Sequence, residues 1–487
     1  MRKTILLMAI CAALSACGGD DNSTTPHSNP GNPGDPGTPG TPGNPGNPGN
    51  PGPGNPGNPG TPTPAGWTDP APFTEAGAGT VNVAIDAAGN AIAVWMQLDA
   101  GTANESVLAS RYVPGSGWSA PVALENDAAG ATDGPQIAMD RASGRAMVVW
   151  AQLTSAGAYD IWARPFDPAA GWGTLARIET GAGLAGQPQV GMDASGNAIA
   201  VWSQRDGQFG PFKIVANRYT AASGWGTESM FATPNDAGIQ NLRPQVAVAP
   251  SGEAIAVWEL TDLASNGIWT SRFSGGSWDA PSELVRDDSI DRSLGYPAIA
   301  MDGSGNATLV WGQSDVANGS VASTLYARRF TSAWQNPVAV AAPVAEAFIS
   351  KARLSVNARG DAMVAWGRND NTLVASVAPA NGAWGTATVL LGASTRTPSL
   401  PTVGLDGAGN GFVAWTQEPE GSSVADLWTN RYVAGTGWGT AALGESYGDT
   451  AAIPALAVNE NGNAALVWNQ WSDAGTRIAG RYYTPAN

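Results

Sequence analysis

The chain has 487 residues and a formal net charge of −16, with 24 basic residues against 40 acidic ones. That balance argues against a nucleic-acid partner, because a surface so acidic repels phosphate. The two cysteines, Cys11 and Cys17, and the single histidine, His27, all lie at the N-terminal end, so the remaining chain has no disulfide, no thiol nucleophile and no histidine-based catalytic or metal chemistry; no cofactor is expected.

Residues 1–16 carry Arg2 and Lys3 followed by the apolar run Ile5–Leu14, which is too short to span a bilayer and has the form of a secretory signal. The run ends in Leu14-Ser15-Ala16-Cys17, which resembles the lipobox of bacterial lipoproteins. The resemblance implies cleavage before Cys17, lipidation of its sulfur and acylation of its new amine. Gly18, where an inner-membrane retention signal would have Asp, implies an outer-membrane or cell-surface address, with the lipid as the only membrane contact.

Residues 17–65 contain the lipidation site and a tract of Asn-Pro-Gly and Thr-Pro-Gly with almost nothing to bury. Such a tract cannot offset its ordering entropy and reads as a disordered stalk, roughly 120 Å long if extended and about 40 Å as a coil. Gly recurs every third residue from Gly31 to Gly52, but the frame breaks at Pro53-Gly54, against a collagen helix.

From residue 66 to 487 the chain repeats. The unit Pro188–Gln204, PQVGMDASGNAIAVWSQ, returns with its Trp at Trp95, Trp150, Trp202, Trp258, Trp311, Trp366, Trp415 and Trp468, a period of about 50 residues and so of propeller-blade length. Each copy reads as two strands, a and b, joined by a tight turn. A third strand, c, follows in Ser106–Tyr112, Ile161–Phe166, Ile214–Tyr219 and their counterparts, degenerate at Leu373–Val377. A fourth, d, opens at Trp67, Trp118, Trp172, Trp225, Trp278, Trp334, Trp384 and Trp438. The expected fold is therefore all-β: an eight-bladed β-propeller of four-stranded antiparallel blades. The chain starts on a d segment, Trp67–Glu75, and stops after a c segment, so the N-terminal strand closes blade eight and leaves no unpaired edge.

Two residues before the turn Asp stand Ala84, Ala138, Gly191, Ala247, Ala300, Ser355, Gly404 and Ala457, all small, as crowded innermost strands require. The turns Asp86–Asn90, Asp193–Asn197 and Asp302–Asn306 have too few carboxylates for Ca²⁺. Asp bonded to its own turn amides, with Gly at positive φ, explains the spacing without a metal.

After the b-strand Trp comes a Gln on the same face, at Gln97, Gln152, Gln204, Gln313, Gln417 and Gln470, then an Asp at Asp99, Asp206, Asp262, Asp315 and Asp370. One reading makes this face a repeated ligand-binding cleft, joined by Asp473. The other has Trp filling the gap between blades, Gln bonding loop backbone and Asp capping the b–c loop. The b–c and d–a connections share one end of the barrel, vary in length and are acidic, including Glu105, Asp127, Asp287, Glu418 and Glu420, which marks that end as the working face. Strand c also carries Arg beside an aromatic, as in Arg111-Tyr112, Arg218-Tyr219 and Arg431-Tyr432, suited to cross-strand stacking.

The Arg-aromatic pairs resemble, in residue type, those of fucose-binding propeller lectins. Sialidase-like propellers are a looser likeness, because the Phe/Tyr-Arg-Ile-Pro signature is missing and Asp86 stands nine residues before Trp95, too far for an Asp-box. The expected function is a lipid-anchored envelope module that presents its acidic, variable face to a glycan or a protein, without catalysis. A scaffold role in an envelope assembly and a glycoside hydrolase built on paired carboxylates stand as alternatives.

Overall fold

The structure, a computed structural model, describes residues 66–486 apart from short stretches within the connections. Cys17, the signal segment and the stalk lie outside the described residues, as do Asp206, Asp262 and the side chain of Asp315.

Eight antiparallel sheets follow one another in sequence. Blade 3 shows the unit, with strand a at Leu184–Met192, b at Ala198–Arg205 and c at Phe212–Thr220. Its outer strand d has two pieces, Gly224–Trp225 and Ser229–Phe231, both paired with c. The sequence predicts one continuous d strand, and the break is the main departure. Where Pro121 or Pro281 follows the Gly-Trp or Ser-Trp pair, the missing N–H ends the ladder for a residue or two, which an outermost strand tolerates. Blade 6 keeps only one outer segment, Thr388–Leu391.

The ring closes as the offset repeat predicts. Gly66–Trp67 pairs with the last strand, Gly66 opposite Thr484 and Trp67 opposite Tyr483, and Ala71–Pro72 pairs further along it. Thr68 locks the seam twice, its N–H donating to Tyr482 O (2.7 Å) and its hydroxyl accepting from Tyr482 N–H (3.0 Å). Trp67 then packs edge-on against both Tyr483 and Phe412 of blade 7.

The b-strand Trp side chains supply the core. Seven are wholly buried and Trp366 nearly so. Each fills the gap to the preceding blade: Trp202 lies among Met147, Val149 and Ile161 of blade 2, and Trp95 among Val467 and Ile478 of blade 8. At the axis the small-residue series packs against the next inner strand, two residues beyond Val246 and Leu456, the large residues expected there. A Cβ on Gly191 would come 2.5 Å from Val248 Cγ2 of the next inner strand, and one on Gly404 2.4 Å from Val458 Cγ2.

Polar latches cross the same boundaries. Arg164 donates to the carbonyls of Ala123 and Leu124 (3.2 and 3.0 Å), Arg328 to Leu284 O (2.7 Å), Arg481 to Gly444 O (2.7 Å) and Asn217 to Ile178 O (3.1 Å), each reaching the outer strand of the blade before. The Arg-aromatic pairs also bridge blades rather than strands of one sheet: Arg111 stacks over Phe166, Arg218 over Phe273 and Arg431 over Tyr483, at 5.3–5.7 Å. Parity along strand c directs these arginines outward to the neighbouring blade, where the ring stands.

The a–b turns are held by their own Asp carboxylates. Asp86, Asp193, Asp302 and Asp406 each accept both the N–H and the side-chain amide of the Asn four residues on, at 2.7–2.9 Å. No metal-binding cluster of acidic, Cys and His side chains occurs among the described residues.

Candidate functional site

The Gln series lies against the Trp series. Gln97, Gln152, Gln204, Gln417 and Gln470 each accept the indole N–H of the Trp two residues earlier, at 2.7–3.3 Å. Gln97 and Gln470 then donate to the d–a connection, to Ala76 O and Asp449 O, both at 2.8 Å. Above Gln204 that connection passes so closely that a Cβ on Gly181 would sit 1.9 Å from Nε2. In blade 4, where Leu260 occupies the Gln position, Asn241 from strand a accepts from Trp258 instead (2.9 Å). Gln313 does not serve Trp311, whose N–H has no acceptor among the described residues. These amides tie the core to the loops above it.

The Asp series sits at the b–c hairpins. Asp99 accepts from Ser106 (2.9 Å), and Asp370 accepts from the Thr372 N–H (3.1 Å) and pairs with Arg368 (3.1 Å). Asp473 is exposed at the last b–c turn. All three are on the predicted working face, at its perimeter rather than its centre.

At its centre, the mouth of the axial channel, the structure shows residues the sequence reading missed. Each inner strand from blade 1 to blade 5, and that of blade 8, breaks register near its start, as between Gly186 and Gln189 or Leu242 and Gln245. In four of them the bulge residue precedes a Pro and has a left-handed backbone: Gln187 (φ 56°), Arg243 (φ 53°), Tyr296 (φ 55°) and Ile453 (φ 47°). A bulge residue normally adopts the right-handed helical region or, as Gly, the left-handed one; a following Pro disfavours the former. Only the left-handed option is left, at roughly 1–2 kcal/mol for a residue with a Cβ. The sequence does carry the mark, an X-Pro whose X stands four residues before the small axial residue, as in Gln187-Pro188, Arg243-Pro244, Tyr296-Pro297 and Ile453-Pro454. X-Pro reads as plain extended chain, so the bulge was not visible.

Three of these residues join across blades 3, 4 and 5. Arg243 N–H donates to Gln187 Oε1 (2.9 Å), and its guanidinium lies 4.4 Å from the centroid of the Tyr296 ring. Glu259, the buried residue after Trp258, pairs with the same guanidinium and accepts the Tyr296 N–H. An aromatic ring, a fixed guanidinium fork and a carboxylate thus converge at the channel mouth. Trp471 and Ile453, both about half exposed at 53% and 43%, lie on the same face.

A second acidic feature lies at the ends of the outer strands, away from the axis. Glu125, Glu179 and Glu445 each stand seven residues after the d-strand Trp and are buried. Glu125 accepts Val107 N–H (2.9 Å) and Glu445 accepts Tyr447 N–H (2.6 Å). Neither oxygen of Glu179 accepts a hydrogen bond from a described residue. Burial first, then the neighbouring Asp160 carboxylate, push its pKa up to about 7. The Glu445–Asp426 pair repeats the pattern in blade 7, where burial raises both.

A cleft of about 550 Å³ lies elsewhere: it opens on the outer rim between blades 3 and 4, lined by Arg218, Phe231 and Trp278. Arg218 and both rings are already engaged in packing there, so the cleft is not taken as the site.

Fold and site together define an eight-bladed propeller with a polar, aromatic axial mouth on the face of its long connections. No family model and no curated protein matches the sequence. Among solved structures, the polysaccharide lyase Uly1 is similar with a TM-score of 0.50 at 9% identity, covering 85% of this chain and 91% of that one. An α-L-arabinanase from Penicillium chrysogenum, complexed with arabinobiose, gives 0.38 at 14% identity over 61% of this chain and 92% of its own. The NanB sialidase of Streptococcus pneumoniae gives 0.36 at 11% identity over 84% and 68%. At such identities the likeness shows the fold alone.

Proposed function

We propose that this propeller binds carbohydrate at its axial mouth, with the sugar stacked beside Tyr296 and its hydroxyls bonded by Arg243, Glu259 and Gln187. One observation carries the reading: three non-glycine residues on adjacent blades are held in strained, left-handed backbone and bring an aromatic ring and a charged pair together. Strain of this kind persists where the surroundings enforce it, and it concentrates at functional sites. An aromatic wall with a few fixed polar groups is the usual composition of a small-molecule site.

Among solved structures, one similar in fold is a polysaccharide lyase. The expectation of a body without catalysis rested on the missing histidine, which leaves carboxylate and tyrosine chemistry available. Binding and turnover are therefore read together. Full-length protein on an array of neutral and acidic glycans should bind at least one of them, and Tyr296→Ala should weaken that binding at least tenfold. If affinity survives Tyr296→Ala but falls with Asp99→Ala or Asp473→Ala, the site is the perimeter Gln and Asp series. If no glycan binds and a pull-down from envelope extract returns one protein, the scaffold reading replaces this one. Release of sugar from a bound glycan would make it an enzyme.

The reading also has the module displayed from a membrane through Cys17, supported by the Leu14-Ser15-Ala16-Cys17 motif. Two or more acyl chains give stable anchoring where one does not. Wild type should partition into detergent with the mass of an attached lipid, and Cys17→Ala should not. Equal partitioning of both rejects the anchor.

A further inference from the structure

The inner strand of blade 6 brings to the axis an arginine with no counter-charge among the described residues. Arg353 lies on the inner strand of blade 6, Arg353–Val356, opposite Ala365. In the same register the other inner strands place Asn82, Gln136, Gln189, Gln245, Ala298, Thr402 and Ala455. The series borders the channel, since Asn82 reaches along it to Gln136 Oε1 (3.2 Å) and Pro135 O (3.1 Å) of the next blade. Arg353 is flanked by the small Ala298 and Thr402, and Gln136 stands four blades away, across the axis.

Its surface is exposed, yet the protein around it is dense enough to lower its pKa by desolvation, with no carboxylate acting on it. Exposure and enclosure together describe a side chain in a water-filled channel. Among the described residues it forms no ion pair and no hydrogen bond. Other arginines differ: Arg243 pairs with Glu259, Arg272 with Glu253 and Arg368 with Asp370, while Arg328 and Arg481 donate to carbonyls. A charge kept from bulk water without a partner is costly. In a chain of net charge −16, none of the described acids faces this arginine.

We propose that Arg353 is an anion-binding site, taking a carboxylate, sulfate or phosphate group of a ligand that enters along the axis. The guanidinium fork matches two oxygens of such a group. The amide side chains of the ring supply donors without competing charge. The inference rests on the channel and not on the glycan reading.

Full-length protein is titrated calorimetrically with sodium sulfate, sodium phosphate and sodium glucuronate at fixed ionic strength, with glucose as the neutral control. At least one oxyanion should bind saturably at one per chain. Arg353→Gln should weaken it at least tenfold, Arg353→Lys should weaken it less, and Arg286→Gln on the outer rim should leave it unchanged. Preference for glucuronate assigns the carboxylate, and preference for sulfate or phosphate assigns the inorganic-type group. Absence of saturable binding by all three, or binding that survives Arg353→Gln, overturns the proposal. Should Arg353→Gln fail to fold, undiminished affinity in Arg353→Lys and in Gln136→Ala overturns it equally. Neutral sugars binding at Tyr296 with no oxyanion effect would leave the glycan reading standing alone.

Discussion

Glu179 shows how one buried carboxyl makes the fold sensitive to pH. Burial and Asp160 raise its pKa to about 7, and Arg177 approaches Asp160 (3.1 Å) more closely than Glu179 (3.9 Å). The folded chain therefore keeps a proton on Glu179 that the unfolded chain loses near its ordinary pKa of about 4.5. Stability from this group is fully present below that value and is lost as pH rises through 7. Glu179→Gln copies the protonated form at every pH. Its melting temperature should match wild type near pH 4.5 and exceed it by pH 8, with the gap opening between. Parallel melting curves from pH 4.5 to 8 would reject the shift. The position was legible, since Glu125, Glu179 and Glu445 share one spacing from the d-strand Trp, but its burial was not: an acid at a strand end reads as solvated until the connection is seen to cover it.

The inner strand is the element that carries both packing and the candidate site. Its alternation was readable because one parity is small at every blade, which only close approach of neighbouring strands demands. The bulge was not, because a left-handed Gln, Arg or Tyr has no residue-type signature of its own, and the corresponding Gly134, which also precedes a Pro, is not left-handed. The strain argument extends the Tyr296 test. Tyr296→Gly and Tyr296→Ala remove the same ring, but only Gly accepts φ near 55° without a Cβ clash. Gly should thus be the more stable of the two by about 1 kcal/mol, the reverse of their order in an ordinary strand. Chemical denaturation decides it, and Ala at least as stable as Gly would mean the backbone relaxes. The Gln-x-Asp series, by contrast, was legible as a pattern while its geometry was not: the same amide that faces a loop also faces an indole, and sequence spacing does not say which contact fills it.

For the whole molecule, the phase of the repeat was enough. Eight Trp anchors fixed the blade count, and starting on d while ending on c fixed how the ring shuts. Removing residues 66–75 strips the outer strand from blade 8, exposes the edge of Gly475–Thr484 and removes Trp67 and Phe73 from three clusters. Melting should fall by many degrees, whereas deleting residues 22–64 should be nearly neutral. Equal melting temperatures for the two deletions would reject closure as a source of stability. The same seam sets an order of events in synthesis. Thr68 meets Tyr482 across 414 positions of chain, so the first strand made is among the last to find its partner. Contacts of such separation form slowly, and an exposed strand waiting for them is prone to pair with the wrong edge. A chain being synthesised must therefore hold Gly66–Pro72 idle until Gly475–Thr484 is made, and any truncation within that strand leaves a nearly complete ring that cannot shut.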